Sequence, residues 1–269
     1  FLWLFLQREG NYNFSSGSRG KYNISSQSNP YFLFPELYNF RYNIYSSEWP
    51  VTNRLVELYL QRKSDNNGWE REINGISNNE KANLLMEKHS FKELLSDVEH
   101  RDLLNNTISL KGYYLFAPAE VNMGVSLFRD SLYALLERNE FRNMRFENLL
   151  DTLGMISGSD IRAGISGWDR PTPLPFYTIG QPEVTKITNK GQESFVLKQQ
   201  VSNNSDHDGM LQLDIQAGSY GPNIDPRTSR KLPLAARQTK LLVTVWEGAP
   251  RQVDVNTLIS GNLPNILNL

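Results

Sequence analysis

His89, His100 and His207 are the chain's three histidines, and it has no cysteine. The lack of thiols excludes disulfide frameworks, thiolate zinc sites, iron–sulfur clusters and cysteine nucleophiles together. A helical His-Glu-x-x-His zinc pair is absent. His89 and Glu93 share a helix face at i, i+4 spacing, but two ligands do not make a zinc site, and surface or cap roles suit them better. Asn204-x-Asp206-x-Asp208-Gly209 matches the first half of a calcium loop. Its twelfth position is Ile215 instead of glutamate and strands flank it, so it reads as a hairpin turn. There is no P-loop lysine motif and no Gly-x-Ser-x-Gly elbow. Asn13, Asn23, Asn105 and Asn203 sit in Asn-x-Ser/Thr triplets, which arise by chance in an Asn-rich chain. The residues by themselves therefore assign no catalytic, cofactor-binding or metal position.

A net charge of −1 leaves no basic excess to displace counterions from phosphates, which argues against nucleic acid as a partner. With 39% hydrophobic and 21% charged residues the chain is globular, and 269 residues suffice for one large domain or two ordinary ones. It begins at Phe1, as a piece of a longer protein would. Phe1 to Leu6 is the most apolar run, far short of the roughly 20 residues that span a bilayer. It reads as a buried strand or helix turn, or else as the trimmed end of a membrane helix or signal segment. Gln7 to Asn29 has neither helical nor strand period, and residues 1–48 are read as an irregular N-terminal segment.

Residues 49–170 read as a helical subdomain. Pro50 suits a first helical position, and Val51, Leu55, Leu58 and Tyr59 form one stripe behind it. Asp65 to Gly68 make a turn cluster within Lys63 to Gly75. Ala82, Leu85 and Met86 mark a short helix, and Ser90 with Glu93 forms a capping box ahead of Phe91, Leu94, Leu95 and Val98. A helix over Leu110 to Val121 bends or ends near Pro118. Phe128, Leu132, Leu135 and Leu136 line another. Phe146, Leu149, Leu150 and Leu153 line the next, with Gly154 as its C-cap. Ser159 or Asp160 caps a last short helix toward Trp168.

Pro171, Pro173 and Pro175 then make a stiff linker, beyond which the period becomes two. Leu211, Leu213 and Ile215 mark one strand, Leu241, Val243 and Val245 another, and Val253, Val255 and Thr257 a third. Phe176 to Ile179, Val184 to Thr188 and Phe195 to Val201 add three more. The expected fold class is α+β, a helical subdomain followed by an Ig-like β-sandwich over 171–269.

The order of pieces carries a resemblance. Lys111-Gly112 is followed by Met123-Gly124-Val125-Ser126-Leu127-Phe128-Arg129-Asp130-Ser131-Leu132 and Arg145-Phe146-Glu147-Asn148-Leu149-Leu150. Then come Ser157-Gly158-Ser159-Asp160-Ile161, Gly167-Trp168, the prolines and the strands. This resembles the C-terminal portion of M1-family zinc aminopeptidases, the gluzincins. There Tyr-x-Lys-Gly precedes a helix ending in Gly-x-x-x-Phe, a Trp precedes a proline-bearing exit strand, and an Ig-like sandwich often follows. Val255 to Pro264 is similar to the end of bacterial M1-type domains fused to transporter-like membrane segments. The match runs from Leu103 to Pro264, with Leu37 to Leu60 fitting more loosely.

The resemblance implies a metallo-aminopeptidase, a zinc cofactor if the full-length protein is active, and exported or membrane-associated localisation. The family's zinc ligands and catalytic glutamate lie upstream and have no match here. Its transition-state tyrosine falls at Ser109, too short to donate a phenol's hydrogen bond to an oxyanion. Tyr113 and Tyr114 are expected to point elsewhere on the helix. The expected partners are the upstream part of the same protein or a membrane-bound protein, and peptide. The readings that stay open are a metallopeptidase fragment completed elsewhere, a non-catalytic peptide- or protein-binding module of a membrane-associated assembly, and an unrelated α-plus-β domain.

Overall fold

The computed structural model describes residues 42–61, 68–189, 192–217 and 227–269. Phe1 to Leu6, the Gln7 to Asn29 loop and most of the irregular N-terminal segment lie outside these residues. Strand β1 (Tyr42–Tyr45) opens the described chain, so residues 42–45 are not irregular as expected. Helices α1 (Thr52–Gln61), α2 (Gly68–Asn74), α3 (Asn78–Lys88) and α4 (Phe91–Ser96) follow. Next come α5 (Leu104–Met123), α6 (Val125–Arg138), strand β2 (Arg142–Arg145) and α7 (Phe146–Ser157). A short 3₁₀ turn spans Arg162–Ile165. The rest is strand: β3 (Tyr177–Ile179), β4 (Glu183–Asn189), β5 (Gln192–Asn203), β6 (Gly209–Ala217), β7 (Arg227–Leu234), β8 (Thr239–Trp246), β9 (Pro250–Asn256) and β10 (Ile266–Asn268). The class is α+β.

The helical stripes bury as their period requires. Leu55, Tyr59, Phe128, Leu132, Leu136, Phe146, Leu149, Leu150 and Leu153 meet Ile108 and Phe116 of α5 in one core. The Ser90–Glu93 capping box forms, and a second, Ser77 with Glu80, starts α3. Asp65 to Asn67 of the expected turn cluster lie outside the described residues, and Gly68 begins helix α2, where Glu70 accepts from the Asn78 amide and Arg71 pairs with Glu80. Two expectations need correction. Pro118 does not end α5, which continues to Met123 and forgoes only the amide bond to the Tyr114 carbonyl. Gly154 is not a cap. Helix α7 runs on to Ser157, and Gly158 closes it with φ +66°, its amide donating to the Gly154 carbonyl.

β1 and β2 pair in parallel, Tyr42 opposite Arg142, beside the helices. The later strands form two sheets. In one the order is β10-β9-β6-β7. In the other, β8 covers residues 195–202 of β5 along one edge, so β3 and β4 share the other edge. Tyr177, Leu197 and Val201 of that sheet meet Leu211, Leu213, Ile215, Val253 and Val255 of the first, so the sheets pack face to face. Residues 204–208 connect β5 to β6, which lie in different sheets, so the segment is a crossing rather than the expected hairpin. The glycine that follows has a packing reason: a Cβ at Gly209 would overlap the Tyr177 hydroxyl and sit 2.8 Å from Pro175.

Helices and sheets are joined through a sealed charge pair. Lys231 of β7 and Glu120 of α5 form an ion pair with side chains 1% and 0% exposed. The Lys231 ammonium also donates to the Tyr113 carbonyl at 3.1 Å and lies 5.8 Å from that ring's centroid, while the Tyr59 hydroxyl donates to Glu120 Oε1 at 2.6 Å. Removing one member strands the other charge in a low-dielectric interior, at about 3–5 kcal/mol. Glu120→Leu and Lys231→Met should each lower urea stability by that order. The Glu120→Leu/Lys231→Met double variant should lose clearly less than their sum, and additive losses would contradict the coupling.

Candidate functional site

Helix α5 carries the Ser109–Gly112 segment between α1 and the proline linker. At Gly112 an added Cβ would stand 3.1 Å from Leu55 Cγ and 3.3 Å from the Leu55 carbonyl oxygen. Only a glycine lets the two helices approach this closely, whatever helix propensity it forfeits. Lys111, one residue earlier, points the other way. It is buried, and its ammonium donates to Thr172 Oγ1 at 2.7 Å. Burial pushes it down to about 8. The Thr172 amide donates to the Met86 carbonyl and the Gly261 amide to the Pro175 carbonyl, so the linker is pinned at both ends.

Ser109 lies half-buried on the stripe that also holds Asn105 one turn before and Tyr113 one turn after. Tyr113 was expected to point away from position 109, but i+4 spacing places it on the same stripe, its ring 5.8 Å from that of Tyr59. Tyr114 does point elsewhere, against Ala117, Met210 and Leu258, where burial raises its phenol. Asn105 Oδ1 accepts from Arg54 Nε at 3.1 Å, and Arg54 Nη1 pairs with the buried Glu57 at 3.3 Å. Arg54 and Asn105 are thereby fixed along the α1–α5 seam, and Ser109 follows Asn105 one turn on along the same stripe. Together these side chains offer a polar strip of hydrogen-bond donors and acceptors for recognition. A serine hydroxyl in this strip has no imidazole beside it to activate it, as nucleophilic catalysis needs.

The histidines do not assemble a metal site. His89 lies beyond the end of α3, and Glu93 belongs to α4, so they do not share a helix face as expected. The Glu93 carboxylate accepts from the Ser90 amide and hydroxyl, bonds that hold its carboxyl below the usual carboxylate range. His100 Nδ1 sits 2.6 Å from Asp97 Oδ2, which raises the imidazole and lowers the carboxyl. Asp206 pairs with Arg237 and Asp208 accepts from the Ala236 amide, so the acids of the crossing loop diverge. Among the described residues no three His, Asp or Glu side chains gather to hold a metal, and a zinc does not fit them. Also among them, no helix is long and apolar enough to cross a membrane. Nothing in the sequence marks Arg54 and Glu57 beyond their place on a helix; only the packing of α1 on α5 brings Arg54 to Asn105.

No family model and no curated protein matches the chain. Among solved structures, it is similar to Legionella pneumophila aminopeptidase A in complex with aspartic acid, at 14% identity and TM-score 0.33, over 82% of this chain and 24% of that one. Parts of it are similar to a β-glucosidase from Listeria innocua in complex with glucose, at 14% identity, TM-score 0.24, over 37% of this chain and 16% of that one. An Erythrobacter marinus β-glucosidase matches at 13% identity, TM-score 0.23, over 35% and 15%. The chain thus spans a quarter or less of the length of these proteins.

Two measurements probe the seam. Gly112→Ala should destabilise the chain by about 1–3 kcal/mol through overpacking, although alanine is the better helix former; a stabilised variant would mean that Leu55 yields freely. Lys111 holds its proton to 10.5 when unfolded and to about 8 when folded. The unfolded state therefore binds more protons between those values, and stability rises with pH across that window. The urea midpoint should climb from pH 8 to 10, and Lys111→Met should flatten that part of the climb.

Proposed function

We propose that this chain is the C-terminal portion of an M1-type metallopeptidase-like protein, with no peptidase activity of its own. In this reading residues 49–170 are the helical wall, residues 171–269 an Ig-like sandwich, and an upstream segment of the same protein the natural cover of the wall. The observation that carries it is the built state of the α1–α5 seam. The Lys-Gly pair is fixed by packing on both sides, Gly112 on Leu55 and Lys111 on Thr172, while the position two residues before the lysine stays half-open on a polar strip. The motif order of the family is thereby given a physical reason, and Ser109 stands where that family presents a phenol. A second reading, a non-catalytic module for peptide or a membrane-bound partner, is favoured by Ser109 itself, since a hydroxyl beside Arg54 and Asn105 can bind a peptide amide but is too short for the oxyanion.

Amide hydrolysis of this type needs a metal-bound water, a general base and an oxyanion donor, and the proposal assigns the first two to the upstream segment. The test is turnover of an aminoacyl-coumarin substrate by the 269-residue chain, with and without chelator, alongside zinc titration calorimetry. We expect no turnover and no tight one-to-one zinc binding; chelator-sensitive turnover would refute the reading. In a longer, active chain, Ser109→Tyr should raise kcat by up to about 10²–10³, the usual worth of one oxyanion donor. An unchanged rate there would show that Ser109 is not the tyrosine's counterpart.

A further inference from the structure

Strand β8 departs from the usual rule for a sheet with one solvated face, since apolar residues occupy both its faces, Leu242 and Trp246 packing on the core between the sheets. Its outward residues Leu241, Val243 and Val245 are 60%, 53% and 65% exposed, while its inward positions include Lys240 and Thr244. The row lies at the rim of the sheet: β5 holds one edge of β8, and among the described residues no strand pairs with the other. On β5 the outward neighbours of Leu241 and Val243 are the polar Gln200 and Lys198, while Val245 stands opposite Val196. Exposed edges are ordinarily blunted by a lysine, a proline or a bulge within the strand. Between Leu241 and Trp246 there is no charge and no proline.

We propose that a second copy of this chain covers this edge, β8 pairing antiparallel with β8 about a two-fold axis through Val243. Three features of the strand select this occupant and register. Paired residues share a sheet face, so only registers matching outward to outward positions are open. The one centred on Val243 sets Leu241 against Val245, Val243 against itself and Val245 against Leu241, and the apolar row meets only apolar residues. A shift of two in the pairing toward the C-terminus would oppose Leu241 to Glu247; the same shift the other way would oppose Val245 to Thr239. The charges agree as well. Lys240 is the second residue of the strand and Glu247 follows its end, so antiparallel pairing brings the basic end of one copy to the acidic end of the other. Parallel pairing would set like against like. The seven-residue ladder, Lys240 to Trp246, is isologous, each copy presenting the same patch, and joins two β5–β8 sheets into one continuous sheet.

The test is sedimentation velocity of the 269-residue chain over a range of concentrations, combined with cysteine cross-linking, which the thiol-free sequence makes specific. We expect a concentration-dependent dimer. Val243→Lys, which sets like charges opposite each other at an already exposed site, should raise the dimer dissociation constant by about tenfold or more. Its circular dichroism, and its melting midpoint at concentrations where the parent is monomeric, should stay those of the parent. Val243→Cys should oxidise to a covalent dimer. Leu241→Cys alone should not, since its two copies stand roughly 14 Å apart along the strands, whereas a mixture of Leu241→Cys and Val245→Cys chains should. A monomer at every concentration, a dimer indifferent to Val243→Lys, or cross-linking of Leu241→Cys to itself would each overturn the proposal, the second by pointing to another surface.

Discussion

A carboxylate and an ammonium shut away from water where a helix meets a sheet constrain everything around them. Neither Glu120 nor Lys231 can be left alone there, because each would carry an uncompensated charge in a medium that solvates it poorly. Helix α5 and strand β7 are therefore held in one relative placement, and the Tyr59 hydroxyl and Tyr113 carbonyl fill the remaining hydrogen-bonding positions. The aromatic packing of Tyr59 on Phe116 and Phe128 then fixes α1 and α6 against the same helix. Because α5 also carries Ser109, Lys111 and Gly112, the geometry of the polar strip depends on a contact made a few turns away.

Periodicity made the helical core legible. Every residue of the Phe128 and Phe146 stripes, Leu135 apart, is buried, and the Ser90–Glu93 box is where the spacing places it. The misses have physical causes. Gly154 looked like a cap because glycine usually is one, but what excludes a side chain there is the Ser159 carbonyl oxygen, 2.8 Å from where a Cβ would stand. Strand β2 reads Arg-Asn-Met-Arg and strand β7 contains Pro233, so neither shows the alternation that announces a strand. Their partners, β1 and β6, supply the reason that they are extended. Leu241, Val243 and Val245 were visible as a face, but alternation reveals only that a strand is two-sided, not which side meets the core.

The candidate site was legible in half. The Lys-Gly pair and the serine before it stand out in the sequence, and the absence of cysteine narrows the chemistry at once. What could not be read is the reason for the pair: Gly112 answers to Leu55, more than fifty positions earlier, and Lys111 to Thr172, about sixty later. Nor could the sequence show that Arg54 would reach Asn105. These are contacts between distant segments, and they leave no mark on local period or propensity.

The acid that starts helix α3 has a temporal consequence. One oxygen of Glu80 closes its own capping box on Ser77, while the other accepts the backbone amide of Asn265 at 2.7 Å. Asn83, one turn on, donates to the Leu258 carbonyl. A helix near the beginning of the described chain is thus finished by residues almost at its end, across a loop whose closure must precede any reward from the contact. On the ribosome, the Ser77–Lys88 region emerges with its buried polar groups still waiting, and it can complete its packing only after the last strands have been synthesised. The helical part is in this sense closed by the strands that follow it, and its packing is completed late rather than as a finished part.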